Sequence, residues 1–144
     1  MSAPEPPTRA FLDANILYAA AIGGGVARLW SCARVVLVTS DDAVNEVFVN
    51  LRDHARSDSD RTERLELLEA LVARTELFVQ PVSPWPFAEW DLPDLDDVPI
   101  LTGAIDSGCA FLVTGDKRCF GKHFGSTLGG VTVLTPAQFL QRFP

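Results

Sequence analysis

The sequence predicts an α/β fold with three layers, α/β/α, around a mostly parallel sheet of about five strands. Strand-like and helix-like segments alternate along the whole chain, which is the first observation behind this prediction. The second is that the strand-like segments, such as residues 34–40, are continuous apolar runs, as is typical of parallel strands buried on both faces. A chain of 144 residues can bury one such core. We therefore expect a disordered lead over residues 1–8 and a single domain over residues 9–144.

The first half of the chain contains two strand-helix steps and one further helix. We expect strands at residues 9–12 and 34–40, and helices at residues 14–23, 42–54 and 61–75. Consecutive glycines from Gly23 onward end the first helix. Ser40, followed by two aspartates, is a favourable start for the second helix. In the third, apolar residues recur at helical spacing, which predicts an amphipathic helix that packs on the core.

The second half continues the alternation after an irregular segment. We expect strands at residues 76–82, within residues 109–116 and at residues 130–135, and helices at residues 98–107 and 136–143. Residues 83–94 are rich in proline and contain Trp85 and Trp90, which predicts an ordered loop without regular secondary structure. Thr135 followed by Pro136 is the usual order of N-cap and first helical residue, so the terminal helix begins there.

Composition and charge exclude several classes of protein. No apolar run approaches the roughly 20 residues of a membrane helix, and the segment MSAPEPPTR does not resemble a secretory signal, so we expect a cytoplasmic protein that does not enter a membrane. The three cysteines lie at unrelated spacings, which predicts neither a zinc site nor a disulfide framework. A net charge of −7 argues against binding nucleic acid through an overall positive surface. A polyanion would have to bind locally, for example through a divalent cation held by carboxylates.

Four acidic residues are predicted to meet at one edge of the sheet. Asp13 and Asp116 each follow a predicted strand, and the carboxyl ends of parallel strands share one edge, where open α/β sheets bind ligands. Asp97 stands at the start of a helix, and Glu46 lies within two turns of the helix start at Ser40, so both can reach the same edge. Such acids would repel one another unless a cation lay between them. Mg²⁺ or Mn²⁺ is the expected ion, because both prefer oxygen ligands.

Each of these acids also has a simpler interpretation. Asp13 and Asp97 are suitable helix N-caps, Glu46 alone would be a solvated helix residue, and Asp116 would close a turn. The joint placement of all four at strand exits or helix starts favours a common site.

Four segments of the chain, taken together, resemble the PIN domain family, in particular the VapC-like bacterial toxin ribonucleases of toxin-antitoxin pairs. They are FLDANILYAA, TSDDAVNEVFVNL, DLDDVPILTGAIDSGCAFLVTGDKRCFG and GVTVLTPAQFL, and they occur in family order between residues 10 and 142. The resemblance implies a PIN-like fold with about five parallel strands and metal-dependent cleavage of single-stranded RNA. It also implies a homodimer and a cognate antitoxin as a partner.

The resemblance further implies roles for individual residues. The metal ligands that it implies are Asp13, Glu46, Asp97 and Asp116, and the neighbouring polar groups that would contact the substrate are Asn15, Thr114 and Ser40. Because Asn15 is not a carboxylate, we expect it to donate to Asp13 or to a phosphate oxygen. The chain departs from the family pattern at Cys119, where relatives often have histidine. It also departs over residues 81–95, whose prolines and tryptophans leave substrate choice and oligomer contacts open.

Two groups of basic residues are candidates for contact with RNA phosphates. The first follows Asp116 directly and comprises Lys117, Arg118, Lys122 and His123, and we interpret it as a substrate contact. The second comprises Arg52, His54, Arg56, Arg61 and Arg64. We interpret it as a solvated helix surface, because nearby acids nearly cancel its charge. Trp85 and Trp90 would either stack on bases or anchor their loop to the core.

These observations predict a divalent-metal-dependent endoribonuclease that hydrolyses phosphodiester bonds of single-stranded RNA, as the toxin of a toxin-antitoxin pair. Asp13, Asp97 and Asp116 would be metal ligands, and Glu46 would be a ligand or orient the attacking water. A phosphatase of the haloacid dehalogenase type is one alternative, but its chemistry needs a second acid where this chain has Asn15. A non-catalytic PIN-like interaction module is the other.

Overall fold

A computed structural model describes residues 5–79 and 98–144 of the chain. Its strands are β1 (Thr8–Leu12), β2 (Val35–Ser40), β3 (Glu76–Phe78), β4 (Phe111–Val113), β5 (Thr127–Leu128) and β6 (Val131–Leu134). Its α-helices are α1 (Ala14–Ala21), α2 (Asp41–Asp53), α3 (Asp58–Ala73), α4 (Val98–Asp106), α5 (Lys117–Phe120) and α6 (Pro136–Arg142). Two short 3-10 helices occupy Gly25–Ser31 and Gly121–His123. The predicted loop over residues 83–94, its two tryptophans and Asp97 lie outside the described residues.

The strands form one sheet in the order β3-β2-β1-β4-β6-β5. The first five strands in this order pair in parallel, and β5 adds to β6 in the antiparallel direction. The prediction of a mostly parallel sheet with about five strands is therefore confirmed. The sequence analysis missed β5, which is only two residues long. It turns into β6 through Gly129 and Gly130, whose φ angles of 57° and 83° suit the tight turns of two-residue hairpins.

Helices cover both faces of the sheet, which gives the predicted three layers. Alternate residues of β1 point to opposite faces: Ala10 and Leu12 belong to one core and Phe11 to the other. The first core packs side chains of α1, α2, α3 and α6 against the sheet, and the second packs α4 and α5. Because each inner strand is buried on both faces, its sequence is a continuous apolar run.

Helix starts follow the capping residues in the sequence. The Ser40 hydroxyl accepts a hydrogen bond from the Ala43 N–H, and Thr135 forms a capping box with Gln138, as the two predicted N-caps require. The third helix begins at Asp58 rather than at residue 61, because Ser57 caps it and extends it into the polar break. The strand predicted from residue 9 includes Thr8, and the division into a lead and a single domain stays a prediction.

The strands that follow β1 in the chain and the strands that follow β4 lie on opposite sides of the sheet. From β1 the chain proceeds to β2 and β3 on one side, whereas β4, β6 and β5 lie on the other side. Adjacent strands whose connections leave in opposite directions form a crevice at their carboxyl ends, where open α/β sheets bind ligands. The residues that follow β1 and β4 are therefore the ones to consider for a site.

No helix within the described part of the chain is both long and apolar enough to span a bilayer. Cys32, Cys109 and Cys119 are free thiols.

Candidate active site

Asp13 is the first residue after β1, and its carboxylate is held in place by neutral donors. Its side chain is among the few polar ones that are buried, with a relative exposure of 6%. Oδ1 accepts a hydrogen bond from the Ala14 N–H at 2.7 Å. Oδ2 accepts one from the Thr114 hydroxyl at 2.8 Å and one from the Asn15 amide at 3.2 Å. The carboxylate is therefore fixed in direction at the point where β1, α1 and β4 meet.

Thr114, the first residue after β4, joins the two acids that follow the strands. Its side chain is fully buried. Its hydroxyl donates to Asp13 and accepts a hydrogen bond from the Asp116 N–H at 3.1 Å. Asp13 and Asp116 are about a hundred positions apart in the sequence, and the pairing of β1 with β4 brings them together. The prediction that Asp13 and Asp116 share one edge of the sheet agrees with this geometry.

Asn15 ties the first turn of α1 to the segment after β4. Its side-chain oxygen accepts a hydrogen bond from the Gly115 N–H at 3.1 Å, and its amide donates to Asp13. The expectation that Asn15 fixes Asp13 thus matches one of the two roles considered for it. The side chain itself is exposed, so its amide is also within reach of a ligand.

Asp116 is half-buried and caps the short helix α5. Its Oδ1 accepts a hydrogen bond from the Cys119 N–H at 3.1 Å. Asp13 likewise caps α1, as its simpler interpretation predicts, whereas Asp116 caps a helix where its simpler interpretation was the closing of a turn. Asp116 can bind a further group while it caps α5, because its other carboxylate oxygen, Oδ2, has no hydrogen-bond partner among residues 5–79 and 98–144.

Glu46 lies on α2, across a cleft from Asn15. It is exposed, and together with Asn15 it lines a cleft of about 360 Å³ between α1 and α2. Ser40 is fully buried, and its hydroxyl caps α2. Its predicted contact with substrate stays a prediction. Asp97 lies outside the described residues.

The side chains at the site are of the types that bind a divalent cation. Carboxylates and hydroxyl or amide oxygens are the donors that Mg²⁺ and Mn²⁺ prefer, and Asp13 and Asp116 supply carboxylates at one point of the fold. Within residues 5–79 and 98–144, no three Asp, Glu, His or Cys side chains converge closely enough to form a metal site on their own. The donor types therefore fit the ion, with two carboxylates from the described residues and Asp97 as the predicted third.

The two basic groups differ in their surroundings. Lys117 and Arg118 are exposed on α5, immediately after Asp116. In the second group, three of the arginines form ion pairs with acids nearby in sequence: Arg52 with Asp53, Arg61 with Asp58, and Arg64 with Asp60. These pairs agree with the interpretation of that group as a solvated helix surface.

Two residues that the fold brings close to Asn15 and Glu46 were not predicted from the sequence. Tyr18 and Asn50 line the same cleft as Asn15 and Glu46. A signal was available in the spacing, because Tyr18 lies three residues after Asn15 and Asn50 four residues after Glu46, which are the spacings of one helix face. His54, which the sequence analysis assigned to the second basic group, also lines this cleft.

Comparisons with known proteins identify the family. A family model described as PIN domain matches residues 9–118. Among solved structures, the chain is similar to one in the crystal structure of VapBC2 from Rickettsia felis bound to a DNA fragment from their promoter, with 14% identity, a TM-score of 0.61, and coverage of 89% of this chain and 98% of that chain. No curated protein sequence matches. Because the family model spans most of the chain, the protein belongs to the PIN domain family.

Proposed function

We propose that the protein is a metal-dependent endoribonuclease that hydrolyses phosphodiester bonds of single-stranded RNA. One observation carries this proposal: Asp13 and Asp116 are joined through Thr114 at the carboxyl ends of β1 and β4, where the connections to the following strands leave in opposite directions. Membership of the PIN domain family supports a nuclease. The phosphatase alternative has no such support, and Asn15 cannot act as the second acid that its chemistry needs.

Mg²⁺ or Mn²⁺ would be held by Asp13, Asp97 and Asp116. When bound, such an ion neutralises phosphate charge and makes water easier to deprotonate. Thr114 and Asn15 would keep the Asp13 carboxylate in one orientation through their hydrogen bonds to Oδ2. This assignment leaves Glu46, which lines the cleft together with Asn15, available for another role.

Glu46 would orient the water that attacks phosphorus and accept its proton. In the reaction, the bond from the water oxygen to phosphorus forms and one phosphorus–oxygen ester bond breaks, so the leaving oxygen takes up a proton. Lys117 and Arg118 are exposed beside Asp116 and would attract the RNA backbone. They provide the local positive charge that a chain with a net charge of −7 lacks overall.

The test is cleavage of labelled single-stranded RNA by the purified chain. We expect cleavage with Mg²⁺ or Mn²⁺ and none after addition of a chelator. Asp13→Asn should lower kcat/KM at least about 100-fold, because it removes a charged ligand whose contribution is several kcal/mol. Asp42→Asn is a matched control, since Asp42 is an exposed acid on the first turn of α2 and lies outside the proposed site.

Other outcomes would overturn the proposal in specific ways. Turnover of p-nitrophenyl phosphate through a covalent aspartyl phosphate would favour the phosphatase. Absence of both activities in a folded, metal-loaded chain would favour the non-catalytic module.

We further infer that the protein is the toxin of a toxin-antitoxin pair, with a cognate antitoxin as partner, and that it acts in the cytoplasm as a homodimer. The similar fold in a VapBC2 structure supports the inference. Large apolar side chains such as Phe48, Leu77 and Val79 are also exposed, as expected for a chain that binds other proteins. Co-expression with the product of an adjacent small reading frame, followed by measurement of the mass of the complex in solution, tests the partner. A chain that remains a monomer and binds no such product would contradict both inferences.

A further inference from the structure

We propose that the cleft between α1 and α2 binds the nucleoside next to the scissile phosphate, and that Tyr18 stacks on its base. This inference rests on the proposed function and assigns the residues that recognise the substrate. The cleft is lined by Ala14, Asn15, Tyr18, Glu46, Val47, Asn50 and His54.

Position is the first argument. Asn15 and Glu46 both line the cleft, and Asn15 also donates a hydrogen bond to Asp13. The cleft therefore adjoins the acidic site at Asn15. A nucleotide whose phosphate lies at Asp13 would have its own base or its neighbour within reach of this cleft.

The apolar part of the lining suits a flat ring. Ala14 and Val47 are buried and contribute an apolar surface, and the partly buried ring of Tyr18 packs against the first core. A ring anchored in this way loses little freedom when a base stacks on it. The volume of about 360 Å³ lies at the lower end of the range for small-ligand sites, as expected for a single nucleoside.

The polar part of the lining can hydrogen-bond a base edge. Within the described residues, neither the Tyr18 hydroxyl nor the Asn50 amide has a hydrogen-bond partner. The amide offers both a donor and an acceptor. His54 Nδ1 lies 2.9 Å from the Asn50 carbonyl oxygen, which can only accept, so the neutral ring presents Nε2 as an acceptor. These groups give the cleft a means of selecting among bases.

A second groove on the molecule has a different character. It lies between α2, α3 and β3 and is lined largely by apolar residues, including Phe48 and Leu77. It does not include Asn15 or Glu46, so it does not adjoin the acidic site at Asn15. Phe48 therefore supplies a control residue: an aromatic side chain on α2 outside the nucleoside cleft.

The experiment compares Tyr18→Leu, Tyr18→Phe and Phe48→Leu on a short single-stranded RNA with one cleaved bond. Tyr18→Leu should raise KM by about 5- to 150-fold, the range expected for loss of one base stack, with little change in kcat. Tyr18→Phe retains the ring but loses the hydroxyl, so it should raise KM less than Tyr18→Leu does. Phe48→Leu, outside the cleft, should stay close to wild type. Asn50→Ala should also raise KM, and this effect would not arise from a change in the packing of the Tyr18 ring.

An abasic substrate makes the test specific to the base. Removing the base next to the cleaved bond should raise KM by a larger factor for the wild type than for Tyr18→Leu, because the stacking contact that the abasic substrate loses is already absent from the variant. Equal KM values for Tyr18→Leu and wild type, or independent effects of the two changes, would overturn the inference. Loss of a protein partner by Tyr18→Leu with unchanged KM would also overturn it and assign the cleft to that partner.

Failure of the proposed function would be recognised separately. If the wild type cleaves no RNA, binding of the same labelled RNA is measured by fluorescence anisotropy in the presence of chelator. Weaker binding by Tyr18→Leu than by Tyr18→Phe would support the cleft even without catalysis. Equal binding by these two variants would overturn it.

Discussion

The two ends of the parallel sheet stabilise their carboxylates in different ways. Near the amino end of β1, Arg9 forms a two-pronged ion pair with Glu76 at the start of β3, and its guanidinium also donates to the Ser107 carbonyl oxygen at 2.9 Å. At the carboxyl end, Asp13 accepts hydrogen bonds from a backbone N–H, a hydroxyl and an amide. Opposite charge dominates the first arrangement, and neutral donors shape the second.

The difference bears on where the proposed cation would bind. A guanidinium neutralises the carboxylate that it contacts, and its hydrogen bond lowers the pKa of Glu76 below its ordinary value of 4.5. Neutral donors orient a carboxylate without cancelling its charge. Among the described residues, Glu46 and Asp116 take part in no ion pair. Glu46 and Asp116 therefore keep their negative charge without an ion-pair partner among the described residues, whereas Glu76 at the amino end is paired with Arg9.

Among the substitutions that test this comparison, removal of the Thr114 hydroxyl should have the largest effect on stability and cleavage. Thr114→Val deletes a buried group that donates to Asp13 and accepts from the Asp116 N–H. We expect a loss of about 1–3 kcal/mol in the free energy of unfolding, since the donor and acceptor remain buried without this partner. We also expect a 10- to 100-fold loss of cleavage, roughly the effect of removing a residue that orients a metal ligand. Denaturant unfolding and kcat/KM measure the two effects.

Two variants separate orientation from simple destabilisation. Thr114→Ser retains the hydroxyl and should restore most of the activity. Thr39→Val removes another buried hydroxyl, which donates to the Leu12 carbonyl oxygen at 3.0 Å. Thr39→Val should lower the free energy of unfolding by a similar amount but should reduce cleavage only a little. Equal activity losses in Thr114→Val and Thr39→Val would show that Thr114 has no special role at the carboxyl end.

Substituting the exposed bases on α5 should have a smaller effect. Lys117→Ala and Arg118→Ala should each weaken RNA binding several-fold at low salt. Each lost phosphate contact should reduce the dependence of log K on log salt by about 0.7 for a single strand. Arg56→Ala is the control, because Arg56 is equally exposed but belongs to the solvated helix surface. An unchanged salt dependence in the α5 variants would remove these residues from the RNA path.

Substituting Glu76 at the amino end should have the smallest effect. Both partners of the Arg9–Glu76 pair are partly exposed, with side-chain exposures of 31% and 50%, so Glu76→Gln should cost less than about 1 kcal/mol at neutral pH. The lowered pKa of Glu76 means that the contribution is present above pH 4.5 and is lost as the pH falls through the folded-state pKa. Unfolding of Glu76→Gln, Arg9→Gln and the double variant across this range measures the coupling. A coupling that persists at pH 2 would contradict its electrostatic origin.

The features of the fold that the sequence predicts are those with strong local signals. The inner strands are continuous apolar runs, and the predicted caps at Ser40 and Thr135 are observed. The sequence analysis missed β5, α5 and the 3-10 helix Gly25–Ser31. The first two have only two and four residues, too few for a periodic pattern to emerge.

The candidate site was predictable in part. Its acids could be placed at strand exits because parallel strands end at a common edge. The hydroxyl of Thr114 that joins Asp13 to Asp116 depends on the register of β1 against β4, which no local pattern encodes. Tyr18 and Asn50 were missed for a similar reason, since their cleft exists only when α1 packs against α2.

Direct titration with Mn²⁺ tests the central claim, which is that acids at the carboxyl end share one cation. Binding is measured by calorimetry or by the Mn²⁺ paramagnetic resonance signal, without RNA, for the wild type and for Asp13→Asn, Asp97→Asn, Asp116→Asn and Asp42→Asn. We predict that each of the first three variants binds Mn²⁺ at least about tenfold more weakly than the wild type, and that Asp42→Asn binds like the wild type. Equal affinity of the wild type and Asp13→Asn, with both chains folded, would contradict the account.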